Sequence, residues 1–487
     1  MVNRGSGVKV KEILITFALF VYVCICALYK DGNPYLLHWL GIVIFFYGIY
    51  TWKVKTDSSW FSPYTILFLF FVLFNYGMPI MWAFNIHRGS EIGTHEMYYY
   101  SRYIPSQSDL IEVQWYVCLA MLLFHFGALL FAKRNSGTKE PAREIGPVTD
   151  YSTIENAMRT VGGLVLCVMA PIAIYSKLQE VIIAQSYGYQ ALYYGAYSTQ
   201  SGYTQILMYL FFPSLVCYLI GNRYSKKSRF IAYSIFGLYA LLGILSGDRG
   251  NWLYSLMILI WLHTHYIKMP MRTYVFLVAA GIIGIYLLHA ITAVRNTGLN
   301  ELSMDMFLEV FSAEESPIVD AFFEMGGTMG IITYFLHFGN GIYPYENTYL
   351  VAILGALSSR VLTFFGLKPI LISNWFSQTH LGLDDYGTGF SMLGEAFVNG
   401  GYYGGLVYMF VWGIILGKLV QAAPRNDKHA SPIRLFVATA SLNVVVGFAR
   451  NPSYLVVKEL LYGVLFMFVL IYIFSGKFKK DFYSIKG

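Results

Sequence analysis

The chain has 487 residues, of which 56% are hydrophobic and only 13% are charged. A soluble domain carries about 25% charged residues, so this composition excludes an ordinary soluble protein. All five cysteines lie inside apolar runs and none forms a CxxC pair, so neither a disulfide framework nor a zinc site is predicted. No nucleic-acid partner is predicted either.

Apolar runs recur along the whole chain, each long enough to cross a hydrocarbon core of about 30 Å. Because lipid leaves no partner for an unpaired backbone group, the spans should be helices. We therefore predict an all-α, polytopic membrane bundle of about 12 transmembrane helices embedded in a lipid bilayer. The first run follows Arg4, Lys9 and Lys11 and lacks a small-residue cleavage site after it, which indicates a retained span. The predicted spans are 12–29, 35–52, 63–84, 110–132, 158–176, 204–221, 229–246, 251–267, 273–291, 404–420, 433–448 and 455–474.

The charge distribution orients these spans. With twelve spans, both termini lie on one side, and that side receives 24 of the 34 lysine and arginine residues. The positive-inside rule makes it the cytoplasmic side. The predicted organisation is nine helices over 1–291, a large outer loop over 292–403, and three helices with a cytoplasmic tail over 404–487.

The large outer loop contains two apolar stretches. Phe307, Phe311, Ile318 and Phe322 recur at helical spacing in "MDMFLEVFSAEESPIVDAFFEMGG", which predicts a short amphipathic helix. The stretch "TYLVAILGALSSRVLTFFG" is interrupted by polar residues and predicts a helix that lies in the membrane interface or re-enters the membrane. A loop of this length is usually functional.

Four arginines lie on the predicted outer side, against the positive-inside rule. They are Arg249 in "SGDRG", Arg295 in "AVRNTG", Arg360 in "SSRVL" and Arg450 in "FARNPS". A guanidinium group presents a planar fork of donors that matches phosphate and carboxylate oxygens. Together the four arginines predict a diphosphate-binding site at the outer headgroup level. For a single arginine, an ion pair with a nearby acid such as Asp248, or a contact with lipid phosphate, is an equally good explanation.

Three residues on the same side are candidates for proton transfer. Glu395 lies among small and apolar residues, which suits a general base or acid, although a structural partner for one of the arginines is the alternative role. Glu324 in "FFEMGG" is a similar candidate, and His337 in "YFLHFGNG" is a third, because imidazole is a common proton acceptor. Asp384 and Asp385 are adjacent acids in a polar loop, where such pairs are usually just solvated, so no metal site is predicted.

No Walker loop, dinucleotide fingerprint, HExxH or GxSxG motif occurs. ATP-driven transport by this chain is therefore excluded, and no cofactor is predicted. The tyrosine-rich stretch "SYGYQALYYGAYSTQSGY" is typical of a membrane interface. Aromatic faces also stack on sugar rings, so a saccharide-lined vestibule is a second interpretation.

The order of these motifs resembles the Wzy polysaccharide polymerases. The stretches concerned are "SPYTILFLFFVLFNYGMPI", "SGDRG", "FFEMGGTMG", "GTGFSMLGEAFVNGGYYGG" and "FARNPS", which together cover most of the chain. One family feature is missing, because no glycine follows any of the four arginines at the eleventh position. Arg249 and Arg450 are therefore matched to the arginines of the family by their "GDRG" and "FARNPS" contexts, and Arg295 and Arg360 are matched only by their location.

The resemblance implies a GT-C-like glycosyltransferase of the bacterial plasma membrane. Its substrates would be polyprenyl-diphosphate-linked oligosaccharides, joined on the outer face into an O-antigen, capsule or exopolysaccharide, with a chain-length regulator protein as a possible partner. An O-antigen ligase shares the fold and the donor and is poorly separated from a polymerase by sequence. A lipid-linked oligosaccharide flippase or exporter is a weaker alternative, since transporters often have related halves and place their charges near the midplane.

Overall fold

The computed structural model describes residues 4–29, 33–56, 58–132, 151–192, 202–248, 250–294, 316–368, 370–383, 389–421 and 431–476. Over these ranges the chain is almost entirely helical and contains no β-strand, which confirms the predicted all-α class. The helices up to residue 294 are α1 (Arg4–Tyr29), α2 (Pro34–Thr56), α3 (Pro63–Ala83), α4 (His95–Ser101), α5 (Gln107–Leu130), α6 (Ser152–Tyr187), α7 (Gly202–Met208), α8 (Phe211–Gly221), α9 (Lys226–Leu245), α10 (Asn251–Tyr266) and α11 (Met271–Val294).

The second set of helices begins after residue 316. It comprises α12 (Pro317–Gly326), α13 (Met329–Phe338), α14 (Thr348–Leu357), α15 (Ser359–Phe364), α16 (Ile372–Asn374, continued by a π-helical segment over Trp375–His380), α17 (Met392–Gln421), α18 (Pro432–Gly447) and α19 (Ser453–Phe474, with a π-helical segment over Leu460–Leu465). Helices α12, α14 and α15 show that both apolar stretches of the predicted loop are helical where they are described. Residues 295–315 lie outside the described residues.

Nine helices within the described ranges are long and apolar enough to cross a membrane. They are Val10–Leu28, Pro34–Thr56, Pro63–Ala83, Gln107–Phe131, Ser152–Tyr187, Thr204–Gly221, Lys226–Leu245, Met392–Gln421 and Ser453–Phe474. Each coincides with a predicted span, so the polytopic bundle is confirmed. The other three predicted spans fall on α10, α11 and α18, of which Met271–Tyr286 and Pro432–Gly447 are shorter apolar segments.

Local sequence signals explain where several helices begin. Ser62 accepts a hydrogen bond from the backbone amide of Thr65, and Pro63 occupies the first helical position of α3. Before α5, Ser106 and Asp109 form a reciprocal capping box that satisfies two backbone donors. Helix α17 begins at Met392, well before the predicted start at residue 404, and it is kinked at Gly401, where φ is 62°.

The chain divides into two compact units. The first comprises Met1–Glu140, Val319–Gln421 and Val445–Val457, and the second comprises Pro141–Ile318, Ala422–Val444 and Lys458–Gly487.

In the first unit, α5 and α17 cross in close backbone contact. A Cβ atom at Gly127 would collide with the backbone of Phe410, and one at Gly413 with the backbone of Phe124. Small residues at such crossings let membrane helices approach closely, and van der Waals packing and hydrogen bonds then stabilise the pair. The buried His125 strengthens this unit by bonding both Thr51 and Tyr64.

In the second unit, α6 and α8 also approach each other closely at glycine residues. Gly162 lies against the backbone of Tyr218, and Gly221 lies against the backbone of Arg159. The long helix α6 extends beyond the predicted end of its span at residue 176 and carries Lys177 and Glu180 on its added turns.

Candidate active site

Glu395 links three helices in the first unit. Its carboxyl group is fully buried in α17 and accepts three hydrogen bonds. Thr348, the first residue of α14, donates its hydroxyl to Oε1 at 2.5 Å. Ser453, the first residue of α19, donates its hydroxyl to Oε1 at 2.6 Å and its backbone amide to Oε2 at 2.7 Å. The carboxylate therefore ties the start of α14 and the start of α19 to α17.

Asn399 fixes the direction of these bonds. Its Oδ1 accepts the backbone amide of Thr348 at 2.8 Å, so its Nδ2 must be the atom that donates to Thr348 Oγ1 at 2.7 Å. The threonine hydroxyl already accepts a proton there and directs its own proton to Glu395. Thr348 is thus a donor, as the backbone amide of Ser453 must be, and with the Ser453 hydroxyl donating as well the pattern matches an ionised carboxylate.

Arg450 lies in the turn between α18 and α19, three residues before Ser453. Its guanidinium carbon lies 5.7 Å from the centre of the Phe74 ring, and it forms no ion pair with any residue in the described ranges. A Cβ atom at Gly389 would lie 3.7 Å from the Arg450 Nε, so the two residues are neighbours. Gly389 has φ of 70°, a left-handed conformation that favours glycine. The described contacts of the partly buried Arg450 are therefore packing contacts with Phe74 and Gly389.

The turn between α12 and α13 belongs to the same neighbourhood. The methyl group of Thr328 would lie 3.7 Å from a Cβ atom at Gly389, and its hydroxyl donates to the carbonyl oxygen of Phe74. A close crossing supports this arrangement, because a Cβ atom at Gly77 of α3 or at Gly326 of α12 would collide with the backbone of the other helix. Glu324, whose side chain is exposed, lies on the last turn of α12, two residues before Gly326.

A second polar contact joins α3 to the segment before α17. Ser391 donates its hydroxyl to Oδ1 of the fully buried Asn75 at 2.9 Å, and its carbonyl oxygen accepts the backbone amide of Glu395. Phe74 and Asn75, adjacent on α3, thus contact the Arg450 side and the Glu395 side of the site. Sequence reasoning did not identify Asn75, Thr348, Ser391 or Ser453, since a single hydroxyl or amide in an apolar run carries no spacing signal.

The other predicted residues fall in three places. Arg360 is exposed on α15, and no contact within the described ranges joins it to Arg450. His337 is exposed at the end of α13, where its Nδ1 lies 3.2 Å from Oδ1 of Asp109. Arg249, Arg295, Asp384 and Asp385 lie outside the described residues.

The "GDRG" turn of the second unit contains a buried ion-pair cluster. Asp248, adjacent to Arg249, has its Oδ2 3.0 Å from Lys177 Nζ, and Lys177 also lies 2.7 Å from Glu180 Oε2. Trp252 donates its indole N–H to the carbonyl oxygen of Asp248 at 2.8 Å. Lys177 was not singled out in the sequence. Like the four arginines it is a cation on the predicted outer side, so the same charge rule could have identified it.

Within the described ranges, no group of three or more histidine, cysteine, aspartate or glutamate side chains is arranged to hold a metal ion. The residues that lie together at Arg450 and Glu395 offer instead one guanidinium group and a set of hydroxyl and amide groups, and the exposed carboxylate of Glu324 lies on the helix that leads to Thr328. This arrangement suits an anionic substrate whose reaction needs charge stabilisation and proton transfer.

Comparison with known proteins shows which family the chain belongs to. The family described as "O-antigen polysaccharide polymerase Wzy" matches residues 12–481. No curated protein and no solved structure matches the chain. The family match covers nearly the whole chain and includes the Glu395 network and Arg450. The chain is therefore a multi-pass membrane protein that belongs to the Wzy family of O-antigen polysaccharide polymerases.

Proposed function

We propose that this protein lengthens a polysaccharide on the outer face of the bacterial plasma membrane, with both termini in the cytoplasm. Its donor is a growing glycan on a polyprenyl diphosphate, and its acceptor is a single lipid-linked repeat unit. A hydroxyl oxygen of the acceptor sugar attacks the anomeric carbon of the donor's first sugar. The bond between that carbon and the diphosphate oxygen breaks, the hydroxyl proton passes to a base, and the lipid diphosphate leaves. This GT-C-like chemistry requires no nucleotide sugar.

The placement of Arg450 is the observation that carries this proposal. Its guanidinium group is held beside Gly389 and Phe74, and no carboxylate in the described ranges neutralises it. Negative charge grows on the diphosphate as the anomeric bond breaks, so a guanidinium aimed at it stabilises the transition state more than the ground state. We assign the diphosphate contact of the first unit to Arg450. Arg249, Arg295 and Arg360 stay predictions from the sequence.

The three acid and base candidates differ in accessibility. Both oxygens of Glu395 are occupied by donors and its side chain is fully buried, so it suits the role of a positioning residue for the turn that carries Arg450. Glu324 is exposed and lies on the segment that packs beside Gly389, so we assign it as the base. His337 shares a contact with Asp109 and stays a second candidate.

Purified protein in lipid vesicles with a synthetic polyprenyl-diphosphate repeat unit tests the proposal. A ladder of products on a gel is expected, and Arg450→Lys should lower its rate by about 100-fold or more, since a point charge cannot reproduce a two-pronged phosphate contact. Glu324→Gln should lower the rate by about 100-fold as well. Arg434→Lys, at the other end of α18, is the matched control and should behave as wild type.

Two outcomes would contradict the proposal. An unchanged ladder with Arg450→Lys would remove the diphosphate contact from this site. If wild-type protein gives no ladder but transfers a whole glycan to added lipid A, the activity is that of a ligase and not of a polymerase.

A further inference from the structure

A continuous group of aromatic and imidazole rings lies on the first unit and includes His337, the second candidate base. We call it the aromatic band and define it as Tyr103, Tyr334, His337, Phe338, Trp375 and His380. The Tyr103 ring centre lies 4.6 Å from that of His337 and 5.2 Å from that of Phe338. Phe338 lies 4.5 Å from Tyr334.

The band continues through the helices of the predicted outer loop. His380 lies 5.6 Å from Tyr334 and stacks on Trp375 at 5.0 Å. Trp375 lies 4.9 Å from Tyr343, a tyrosine whose pKa is raised by burial and then by the charge of Glu395. The band thus runs from Tyr103 towards the Glu395 side of the candidate active site.

The band combines a rigid base with exposed edges. Trp375 and Tyr334 are buried, whereas His337 and His380 are exposed and Phe338 is 47% exposed. A small set of exposed rings fixed on a buried aromatic layer is a preorganised surface. Binding of a ligand that stacks on it therefore costs the protein little conformational entropy.

Polar groups accompany these rings. Asp109 accepts the hydroxyl of Tyr103 at 2.6 Å on Oδ2 and lies 3.2 Å from His337 on Oδ1. The hydroxyl of Tyr334 and Nε2 of His380 are 2.9 Å apart. Interfacial aromatic residues that only anchor a protein in lipid need no carboxylate and no paired imidazole groups. A sugar ring, with an apolar face and a rim of hydroxyl groups, uses both kinds of surface.

We propose that the aromatic band binds the glycan of the growing chain, several sugars away from the diphosphate. This inference rests on the proposed polymerase function. A donor held by its diphosphate at Arg450 must lead its glycan away from that point, and the band extends from the Glu395 side of the same unit. Rings that hold the distant part of the chain keep it bound between additions, so the band sets polymer length more than the rate of one coupling.

The test uses Phe338→Leu, which keeps an apolar side chain but removes the ring face, and Phe338→Tyr, which keeps the ring. In vesicles with the polyprenyl-diphosphate repeat unit, Phe338→Leu should shorten the modal polymer length by about three- to tenfold, the effect of one lost aromatic contact. The rate of the first coupling should stay within twofold of wild type, about the limit of such a comparison. Phe338→Tyr should restore long polymer.

A matched control and a binding assay complete the test. Phe364→Leu changes another exposed phenylalanine, 84% exposed on α15 and outside the band, and should leave polymer length unchanged. Lipid-free O-antigen polysaccharide, released by mild acid, should bind Phe338→Leu more weakly than wild type and Arg450→Lys as well as wild type. Wild-type polymer length and binding in Phe338→Leu would overturn the inference. Equal loss of membrane-inserted protein in Phe338→Leu and Phe364→Leu, with normal polymer length, would also overturn it and assign the ring to lipid. A wild-type protein that makes no ladder contradicts the polymerase proposal instead.

Discussion

Glu395→Gln keeps the shape of the buried side chain and removes its charge. The new amide can still accept the backbone N–H of Ser453 through its oxygen, while its NH₂ group must donate to the hydroxyls of Thr348 and Ser453, which reverses both of those bonds. A hydrogen bond to a charged group contributes about 1.5–3 kcal/mol and a neutral one about 1 kcal/mol. With three bonds weakened, we expect the free energy of unfolding to fall by about 3–4 kcal/mol.

Thr348→Val separates this network from a general loss of packing. It removes one hydroxyl without changing volume greatly, and in the wild-type background it should cost about 2 kcal/mol. In the Glu395→Gln background the same change should cost about 1 kcal/mol less, because the bond to residue 395 is already neutral and the bond from Asn399 is lost in both backgrounds. The measurement is unfolding of the purified protein by SDS titration in mixed micelles. Additive effects of the two changes, within about 0.5 kcal/mol, would refute the network.

The activity of the same variants distinguishes positioning from catalysis. Glu395→Gln should retain polymerisation within about tenfold of wild type, since the turn that carries Arg450 stays capped, whereas direct loss of a general base costs about 10²–10⁴. A loss of that larger size in folded Glu395→Gln would return Glu395 to the role of base. Glu395→Ala leaves three donors unpaired in the interior and should fail to accumulate as folded protein.

Three further outcomes are expected. Lys177→Met should lower the free energy of unfolding by about 3–5 kcal/mol because it leaves buried carboxylates without their cation, and adding Asp248→Asn should recover part of that loss in the same SDS titration. Gly413→Val should abolish folded protein in size-exclusion chromatography, since its Cβ atom would collide with the backbone of Phe124, whereas Gly404→Ala has open space and should elute as wild type. A green fluorescent protein fused to the C-terminus should fluoresce, as expected for a cytoplasmic end, while activity of an alkaline phosphatase fused there would reverse the orientation.

Much of the fold followed from composition and hydropathy. Helices are the only open-ended structure that satisfies its own backbone in lipid, so the length of each apolar run predicted a span without knowledge of its neighbours. Helix ends were less predictable. Helix α17 can begin at Met392, inside the protein, because the hydroxyl of Ser391 just before it is hydrogen-bonded to Asn75. Helix α6 can continue past residue 176 because the charge of Lys177 is paired with two carboxylates. A span predicted from the length of an apolar run ends at such polar residues.

The class of the protein, the chain order of its helices and its unusual cations could be read from the residues alone, because these depend on local hydrophobicity and on the cost of placing charge near lipid. Which of those groups are neighbours depends on how the helices pack. From the sequence, Glu395 could be a base or a partner for an arginine, whereas in the structure α14 and α19 donate two hydroxyls and an amide to its carboxyl group. Contacts between residues far apart in the chain arise from helix packing, which the spacing of residues along the sequence does not encode.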